Sequence, residues 1–246
     1  MWHDDYGSSL PPVPRYLYHG TRESCHPQIA SAGLVAGALP ATAMQRASKK
    51  GFVYLTRAFG LKFAINALCN GPEPGAAERA LVLRVDTSLL DVSCIYPDED
   101  YIAETLYAPT NLHELTEALG RINLEDHRSK AADCLKRLGN CAYKGTIERN
   151  AIVKCALIPT RQCPTLCNLA LGAQMKPGIY SAWGEKHDGL TRFIFKETTE
   201  LPPFTFNSAD PAHQQMGISD FKRMLVDEQS KIEVHHTPID GQQLEL

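Results

Sequence analysis

Three short stretches of this sequence place chemically active residue types at the ends of apolar segments. LYHGT puts His19, Gly20 and Thr21 after two strand-forming residues, GFVYLT carries Tyr54, and residues 98–100 are all acidic. An imidazole binds hydroxyl groups, an aromatic ring stacks on a cationic ring, and a carboxylate offsets a developing positive charge. Together these types favour a cradle for a ligand. A strand that simply stops at a turn is the alternative explanation of LYHGT.

Simpler interpretations stand beside each of these assignments. A backbone carbonyl can satisfy a histidine at the end of a strand, and Tyr54 suits a half-buried strand position because aromatic residues favour strands. Acidic residues in the first turn of a helix are stabilised by the helix dipole, which would explain residues 98–100 equally well. Basic residues near Tyr54 fit either a solvated surface or a site for phosphate groups. They are Arg46, Lys49, Lys50, Arg57 and Lys62.

The elements that must position these residues alternate between short strands and helices. Strands are predicted from β-branched and aromatic content at RYLYHG, GFVYLT, ALVLRVD, CAYKG, AIVKCALIP and TRFIFKE. Apolar residues at 61, 64, 65 and 68 predict a helix after the second strand. Further helices are predicted from Ser24 to about Ala32, from the acidic run onward, and over 110–138.

The fold class predicted from this order is α+β, with a split, mostly antiparallel sheet and inserted helices. Neither GxGxxG nor GxxxxGK[ST] follows any predicted strand. A doubly wound nucleotide-binding fold and a phosphate-binding loop are therefore disfavoured. The predicted organisation is a leader at 1–14, one domain at 15–159 and a C-terminal extension at 160–246. Within the extension, the stretch IYSAWGEKHDGLTRFIF (179–195) is interpreted either as a substrate-docking segment or as an added strand pair on a sheet edge. His235 and His236 are expected on the surface.

Composition is that of an ordinary globular protein, with 43% apolar and 22% charged residues. The net charge of −3 provides no overall basic field for nucleic acid, although local patches are compatible with it. A polar, acidic N-terminus and the lack of a long apolar run predict no signal peptide and no membrane span. The expected location is cytoplasmic, or inside a target cell after delivery without a signal peptide. Eight scattered cysteines without a CxxC pair predict free thiols and no metal site, the closest pair being Cys163 and Cys167.

Four of these motifs, taken in order, resemble the ADP-ribosyltransferase superfamily. They are His19-Gly20-Thr21, then IASAGL, then VYLT at 53–56, then LVLRVD. The similarity is to the poly-ADP-ribose-polymerase-like branch and to the NAD-using domain of RNA 2'-phosphotransferases, and it covers about residues 15–158. It implies NAD as the cofactor and co-substrate, held bent across a split sheet.

The resemblance also implies roles for individual residues. His19 would bind a ribose hydroxyl of the adenosine half, while Gly20 and Thr21 would hold the nicotinamide amide. Gly20 would also let the cofactor approach the backbone closely. Tyr54 would stack on the nicotinamide ring, and Leu55 and Thr56 complete the set of cofactor-binding residues that the VYLT motif implies.

A catalytic carboxylate is the third element that the family uses, at the start of a late strand. Asn140 occupies that place here, and an amide cannot offset a positive charge. Glu148 follows the strand instead of preceding it. The acidic run is therefore favoured, with Glu99 and Asp100 as the catalytic candidates and Asp98 beside them.

The leading functional interpretation is a mono-ADP-ribosyltransferase that releases nicotinamide and attaches ADP-ribose to a macromolecule, either nucleic acid or protein. Small stand-alone relatives of this kind are often toxins, effectors or defence proteins. Asn140 argues against poly-ADP-ribose synthesis. A noncatalytic module that binds NAD, ADP-ribose or a partner is the alternative from another class. An RNA 2'-phosphotransferase is a further alternative, weakened because only fourteen residues precede RYLYHGT where that enzyme has a helical domain.

Overall fold

The computed structural model describes residues 13–37, 49–69, 79–159, 188–198 and 234–237, which form one sheet flanked by helices. The strands are β1 (Tyr16–Arg22), β2 (Phe52–Thr56), β3 (Ala80–Asp86), β4 (Ile95–Tyr96), β5 (Asn140–Lys144), β6 (Ile152–Ile158) and β7 (His235–Thr237). The helices are α1 (His26–Ala32), α2 (Gly60–Cys69), α3 (Glu99–Leu106), α4 (Leu112–Arg121), α5 (Ala131–Arg137) and α6 (188–194).

The seven strands run in the order β4-β5-β2-β1-β3-β6-β7, and every neighbouring pair is antiparallel. β1 pairs with β3 along its whole length, and β2 pairs with β5 along its whole length. β1 and β2, in contrast, meet at a single register position, Tyr18 opposite Thr56. The sheet therefore consists of two well-paired halves with a narrow junction between them. The predicted α+β class with an antiparallel sheet is confirmed.

Both faces of the sheet are covered, and alternation along β1 shows how. Leu17 enters a core on one face, which includes Ile29 of α1, while Tyr18 enters a second core on the other face, which includes Leu61 of α2. Every residue of β3 is buried. Because both sides of this strand are covered, its sequence ALVLRVD is apolar almost throughout instead of alternating with polar residues.

α2 lies unusually close to β1, and two glycines make this possible. A Cβ atom on Gly20 would lie 2.0 Å from the Gly60 carbonyl oxygen and 2.4 Å from the Ala64 nitrogen. A Cβ atom on Gly60 would lie 3.0 Å from side-chain atoms of Tyr18 and Val82. The face of Gly20 that lacks a side chain is thus filled by α2.

The stretch TRFIFKE was predicted to be a strand, and this prediction is wrong. Residues 188–194 are helical, and Leu190, Thr191, Ile194 and Phe195 are the buried members of this segment. Their spacing of three to four residues follows the period of a helix, so one face packs on the sheet. The aromatic and β-branched content of the stretch, which favoured a strand, is outweighed by this tertiary packing.

The C-terminal extension contributes an edge strand as well as α6. β7 pairs with β6, with His236 opposite Ala156. His235 is exposed as expected, but His236 is half-buried with its ring 6.2 Å from that of Phe195, which corrects its assignment to the surface. β7 lies outside the stretch 179–195, for which an added strand pair was one interpretation, and residues 188–194 of that stretch are helical.

The charged stretch 110–138 is helical as predicted, in three pieces. α4 begins where the Asn111 side chain accepts a hydrogen bond from the Glu114 backbone, 3.0 Å away. A 3₁₀ segment and α5 follow, and together with α3 they bury a third apolar cluster over Ala142 of β5. Within the described ranges, no helix has both the length and the apolar character that a membrane crossing requires.

Candidate functional site

His19 lies in β1 beside the narrow junction of the two half-sheets, and its ring reaches across to β2. Its Nδ1 is 2.9 Å from the backbone carbonyl oxygen of Tyr54. Because a carbonyl only accepts, Nδ1 must carry the proton, and the neutral ring then presents Nε2 as an acceptor. Burial lowers the pKa of His19, opposed in part by the bond to Tyr54. The ring is therefore neutral at pH 7 with one defined tautomer.

Tyr54 links His19 to the next element through its side chain. Its hydroxyl donates a hydrogen bond to Oε2 of Glu99 and accepts one from the Lys49 backbone nitrogen at 3.1 Å. Burial raises the pKa of Tyr54, and the neighbouring charge of Glu99 raises it further. The phenol therefore keeps its proton at physiological pH, and that proton is directed at the carboxylate.

Glu99 is the first residue of α3, and its position follows from how the helix starts. Asp98 caps the helix, because its carboxylate accepts a hydrogen bond from the Asp100 backbone nitrogen at 2.8 Å. This cap directs the following residue toward Tyr54. Burial raises the pKa of Glu99 and the charge of Asp100 adds to the effect, whereas the Tyr54 hydrogen bond opposes it. The half-buried carboxylate is held at an energetic cost.

The acidic run 98–100 had two interpretations, an ordinary helix start and a catalytic carboxylate, and its residues differ in which one they fit. Asp98 performs the ordinary capping task at a helix start. Glu99 touches the tyrosine that the sequence had singled out. Asp100 has its backbone bound to the cap and its charge close to Glu99. Of the two catalytic candidates in the run, the described contacts bring Glu99 to Tyr54.

The remaining predicted cofactor-binding residues differ in what their side chains do. The Thr21 hydroxyl is buried without a hydrogen-bond partner among the described residues. Leu55 is buried in the core, so it offers a ligand only backbone atoms. The Thr56 hydroxyl donates to the Gly139 carbonyl at 3.1 Å and accepts from the Phe59 nitrogen at 3.1 Å, which ends β2 and starts the turn into α2. Gly20 has a packing role of its own against α2.

Asn140 stands at the start of β5, opposite Thr56 in the register. It is buried, and its side-chain oxygen has no partner within the described part of the chain. Glu148, the other carboxylate considered for the third position, is exposed and follows Ile147, which bridges to Leu34 beyond the end of β5. The third place in the predicted pattern is therefore an amide, and the carboxylate in contact with Tyr54 comes from α3.

Lys49 is the functional candidate that the sequence did not single out. It was grouped with four other basic residues, of which Arg46 lies outside the described residues. Its backbone nitrogen binds the Tyr54 hydroxyl, and its Nζ donates to the Leu119 carbonyl of α4 at 2.6 Å. No local pattern marks it, because its side-chain contact depends on how α4 packs beside β2. Lys50, the next residue, is exposed.

Among the described residues, no group of three or more His, Cys, Asp or Glu residues is arranged to hold a metal ion. Free thiols in the same part of the chain include Cys25, Cys94, Cys134, Cys141 and Cys155. Cys163 and Cys167 lie outside the described residues.

Comparison with known proteins adds no family to this geometry. No protein-family model matches the chain, and no curated protein matches it.

Proposed function

We propose that this protein is an NAD-dependent mono-ADP-ribosyltransferase, which releases nicotinamide and attaches ADP-ribose to a macromolecular acceptor. The observation that carries the proposal is the hydrogen-bonded series His19–Tyr54–Glu99, assembled from β1, β2 and α3 at the junction of the two half-sheets. A histidine, a tyrosine and a carboxylate are the three side chains that the sequence resemblance asks for. They are separated by 35 and 45 residues in the chain. The His19 ring binds the backbone carbonyl of Tyr54, a contact that also satisfies a histidine in an ordinary strand, and the Tyr54 hydroxyl binds Glu99.

One polar group beside His19 is available to a ligand. Thr21 Oγ1 is buried without a partner in the described ranges, and leaving such a group unpaired is costly. Thr21 lies on the same face of β1 as His19, since alternate residues of a strand share a face. A bound amide or ribose hydroxyl would supply the missing partner, and NAD carries both kinds of group. Asn140, which pairs with Thr56 and shares a face with Ala142, lies on the opposite face of the sheet.

His19 would hold a ribose hydroxyl of the adenosine half through Nε2, the acceptor left by its bond to Tyr54. Tyr54 would offer its ring face to the nicotinamide, which is cationic in the oxidised cofactor. NAD supplies the labile bond between ribose and nicotinamide, which breaks with its electron pair going to the nicotinamide ring. The acceptor's oxygen or nitrogen then bonds to the ribose carbon and loses its proton to a base.

Glu99 supplies the negative charge that this reaction needs. Positive charge develops on the ribose as the bond breaks, and an oriented carboxylate stabilises it. The hydrogen bond from Tyr54 fixes the direction of the Glu99 carboxylate. A single preorganised group of this kind contributes about 10²–10³ in rate. Glu99 is also the proposed base that takes the acceptor's proton.

Asn140 supports transfer of a single ADP-ribose unit over chain elongation, for which the family relies on a glutamate at that place. The same residue favours a second candidate function, a noncatalytic module that binds NAD or ADP-ribose. In that case the buried Asn140 oxygen would be a ligand contact and Glu99 a structural partner of Tyr54. The two functions differ in whether nicotinamide is released.

The test is to incubate the protein with NAD labelled in the nicotinamide or in the adenine, alone and with RNA, DNA or cell lysate. Free nicotinamide and labelled macromolecule are measured. We expect release that is abolished in His19→Ala and Tyr54→Ala and reduced about 100-fold or more in Glu99→Gln. Glu117→Gln, an exposed carboxylate on α4, is the control that retains activity.

Asp100→Asn and Glu148→Gln complete the series. Loss of release in either of these, with Glu99→Gln active, would move the third position to that residue. Binding of NAD by calorimetry without release in any condition would favour the noncatalytic module. Neither binding nor release would refute both functions.

A further inference from the structure

Lys49 is joined to the candidate site by two separate hydrogen bonds, one from its backbone and one from its side chain. The backbone nitrogen donates to the Tyr54 hydroxyl at 3.1 Å. The ammonium group donates to the Leu119 carbonyl at 2.6 Å. The residue thus connects the segment leading into β2 with the C-terminal turn of α4.

The side-chain bond is well placed to hold the backbone of residue 49. Leu119 is among the last four residues of α4, whose carbonyls have no partner inside the helix. A cation at this end of a helix is also favoured by the helix dipole. α4 packs on α3 in a shared apolar cluster that includes Ala103 and Ala118, so the anchor for Lys49 and the helix bearing Glu99 form one unit.

The backbone bond determines the direction of the Tyr54 proton. A phenol has one proton to donate and lone pairs to accept. Since the Lys49 N–H occupies an acceptor position, the hydroxyl proton is left for Glu99. We propose that Lys49 is a positioning residue, which aims the Tyr54 hydroxyl at Glu99 through its anchored backbone. This role rests on the proposed function of the site.

The charges around Glu99 show why such a residue is needed. Tyr54 on β2 donates to the carboxylate, while Asp100 on the same helix adds a like charge, and burial penalises the ionised form. Lys49 is the cation among the groups that act on Glu99, and its charge lowers the pKa of that carboxyl. When the ammonium group is removed, burial and the charge of Asp100 still raise the pKa of Glu99, and hydrogen bonds to the carboxylate still lower it.

The test follows the ionisation of Glu99 directly, by carbon NMR of the labelled full-length protein across pH. The Glu99 signal is assigned from its loss in Glu99→Gln. We expect Lys49→Met, which keeps the apolar stem and removes the charge, to raise the Glu99 midpoint. Lys49→Arg is expected to keep the wild-type midpoint, and the neighbouring Lys50→Met is the matched control that leaves it unchanged.

A second measurement follows the NMR signals of the Tyr54 ring. In Lys49→Met the Tyr54 ring signals are expected to shift, and the same substitution made in Glu99→Gln is expected to shift them much less. Amide spectra establish that each variant is folded, and Lys49→Gln replaces Lys49→Met if that variant is not. Equal Glu99 midpoints in wild type and the neutral Lys49 variant, or an equal shift in Lys50→Met, would overturn the proposal.

Because the NMR titration needs no turnover, its outcome is separate from that of the proposed function. If nicotinamide release is observed, the acid limb of its kcat profile is expected to move upward with the Glu99 midpoint in Lys49→Met. KM for NAD should then stay within about twofold, since the change affects the carboxylate and leaves His19 in place. A rise in KM with an unmoved pH profile would instead assign Lys49 to substrate binding and refute a positioning role.

Discussion

The Tyr54 hydroxyl donates a hydrogen bond to the Glu99 carboxylate, although 45 residues separate them in the chain. The bond gives the half-buried phenol proton an acceptor and adds a donor to the half-buried carboxylate. It does so by keeping a charge in a half-buried place, where burial raises the pKa of Glu99. An arrangement that costs stability and concentrates charge at a sheet junction is typical of functional sites.

Replacing Glu99 by Gln is expected to stabilise the protein at pH 7 while removing the proposed activity. The folded-state pKa of Glu99 is raised above 4.5. The wild-type carboxylate therefore lowers the free energy of unfolding once it is ionised, that is, as pH rises through the folded-state pKa. The gain in unfolding free energy is therefore expected to be larger at pH 7 than at pH 4. Urea unfolding at pH 4 and pH 7 measures it, and a larger gain at pH 4 than at pH 7 would contradict this account.

His19 is expected to make stability fall in mild acid. Its folded-state pKa lies below 6.5, so the unfolded chain binds the proton more readily between the two values. The unfolding free energy should therefore decrease as pH falls below about 6.5, and recover as pH rises above it. Urea midpoints from pH 5 to 8 measure the slope. In His19→Asn, whose amide nitrogen can replace Nδ1–H, the slope should flatten, and an unchanged slope would exclude His19 as its source.

Gly20→Ala is expected to destabilise the fold by about 2 kcal/mol or more, because the new methyl group would overlap the backbone of α2. The clash involves the Gly60 carbonyl and the Ala64 nitrogen, neither of which can rotate away. Chemical denaturation measures the loss. Gly120→Ala is the matched control in α4, where a Cβ meets nothing within 4 Å, and it should stabilise the protein slightly. Equal stability of the two variants would show that α2 adjusts freely.

The C-terminal extension is expected to depend on an ion pair between Arg84 of β3 and Glu197, just after α6. The Arg84 guanidinium lies 3.6 Å from the centre of the Tyr16 ring, and its side chain is 10% exposed. Glu197→Gln leaves this buried cation without its counter-charge and should cost about 1–3 kcal/mol.

The double variant Arg84→Met with Glu197→Gln tests the explanation. Met keeps an apolar stem over Tyr16 and removes the charge that has lost its partner, so the double variant should be more stable than Glu197→Gln alone. Thermal unfolding of the full chain compares them. A double variant whose loss equals the sum of the two single losses would show that the residues act independently.

Local patterns in the sequence determined most of the elements. Alternation and β-branched content predict β1, β2, β3, β5 and β6, and apolar spacing predicts α2, because these signals depend only on which face of an element is buried. The prediction failed at 191–197, a stretch rich in strand-forming residues, because residues 191–194 end a helix against the sheet and residues 195–197 form a turn. The burial of one face of this segment against the sheet decides its conformation, and the local sequence does not show that burial.

The candidate site shows the same division. His19 and Tyr54 stand out in the sequence because each is a polar or aromatic residue in a short apolar strand with turn residues nearby. The tertiary structure alone decided which carboxylate contacts Tyr54. It also decided that Lys49 orients the Tyr54 hydroxyl. Residue types and spacing determined the chemistry available to this protein. The packing of α3 and α4 against β2 decided which groups meet, because contacts across 45 or 70 residues arise only from register and helix docking.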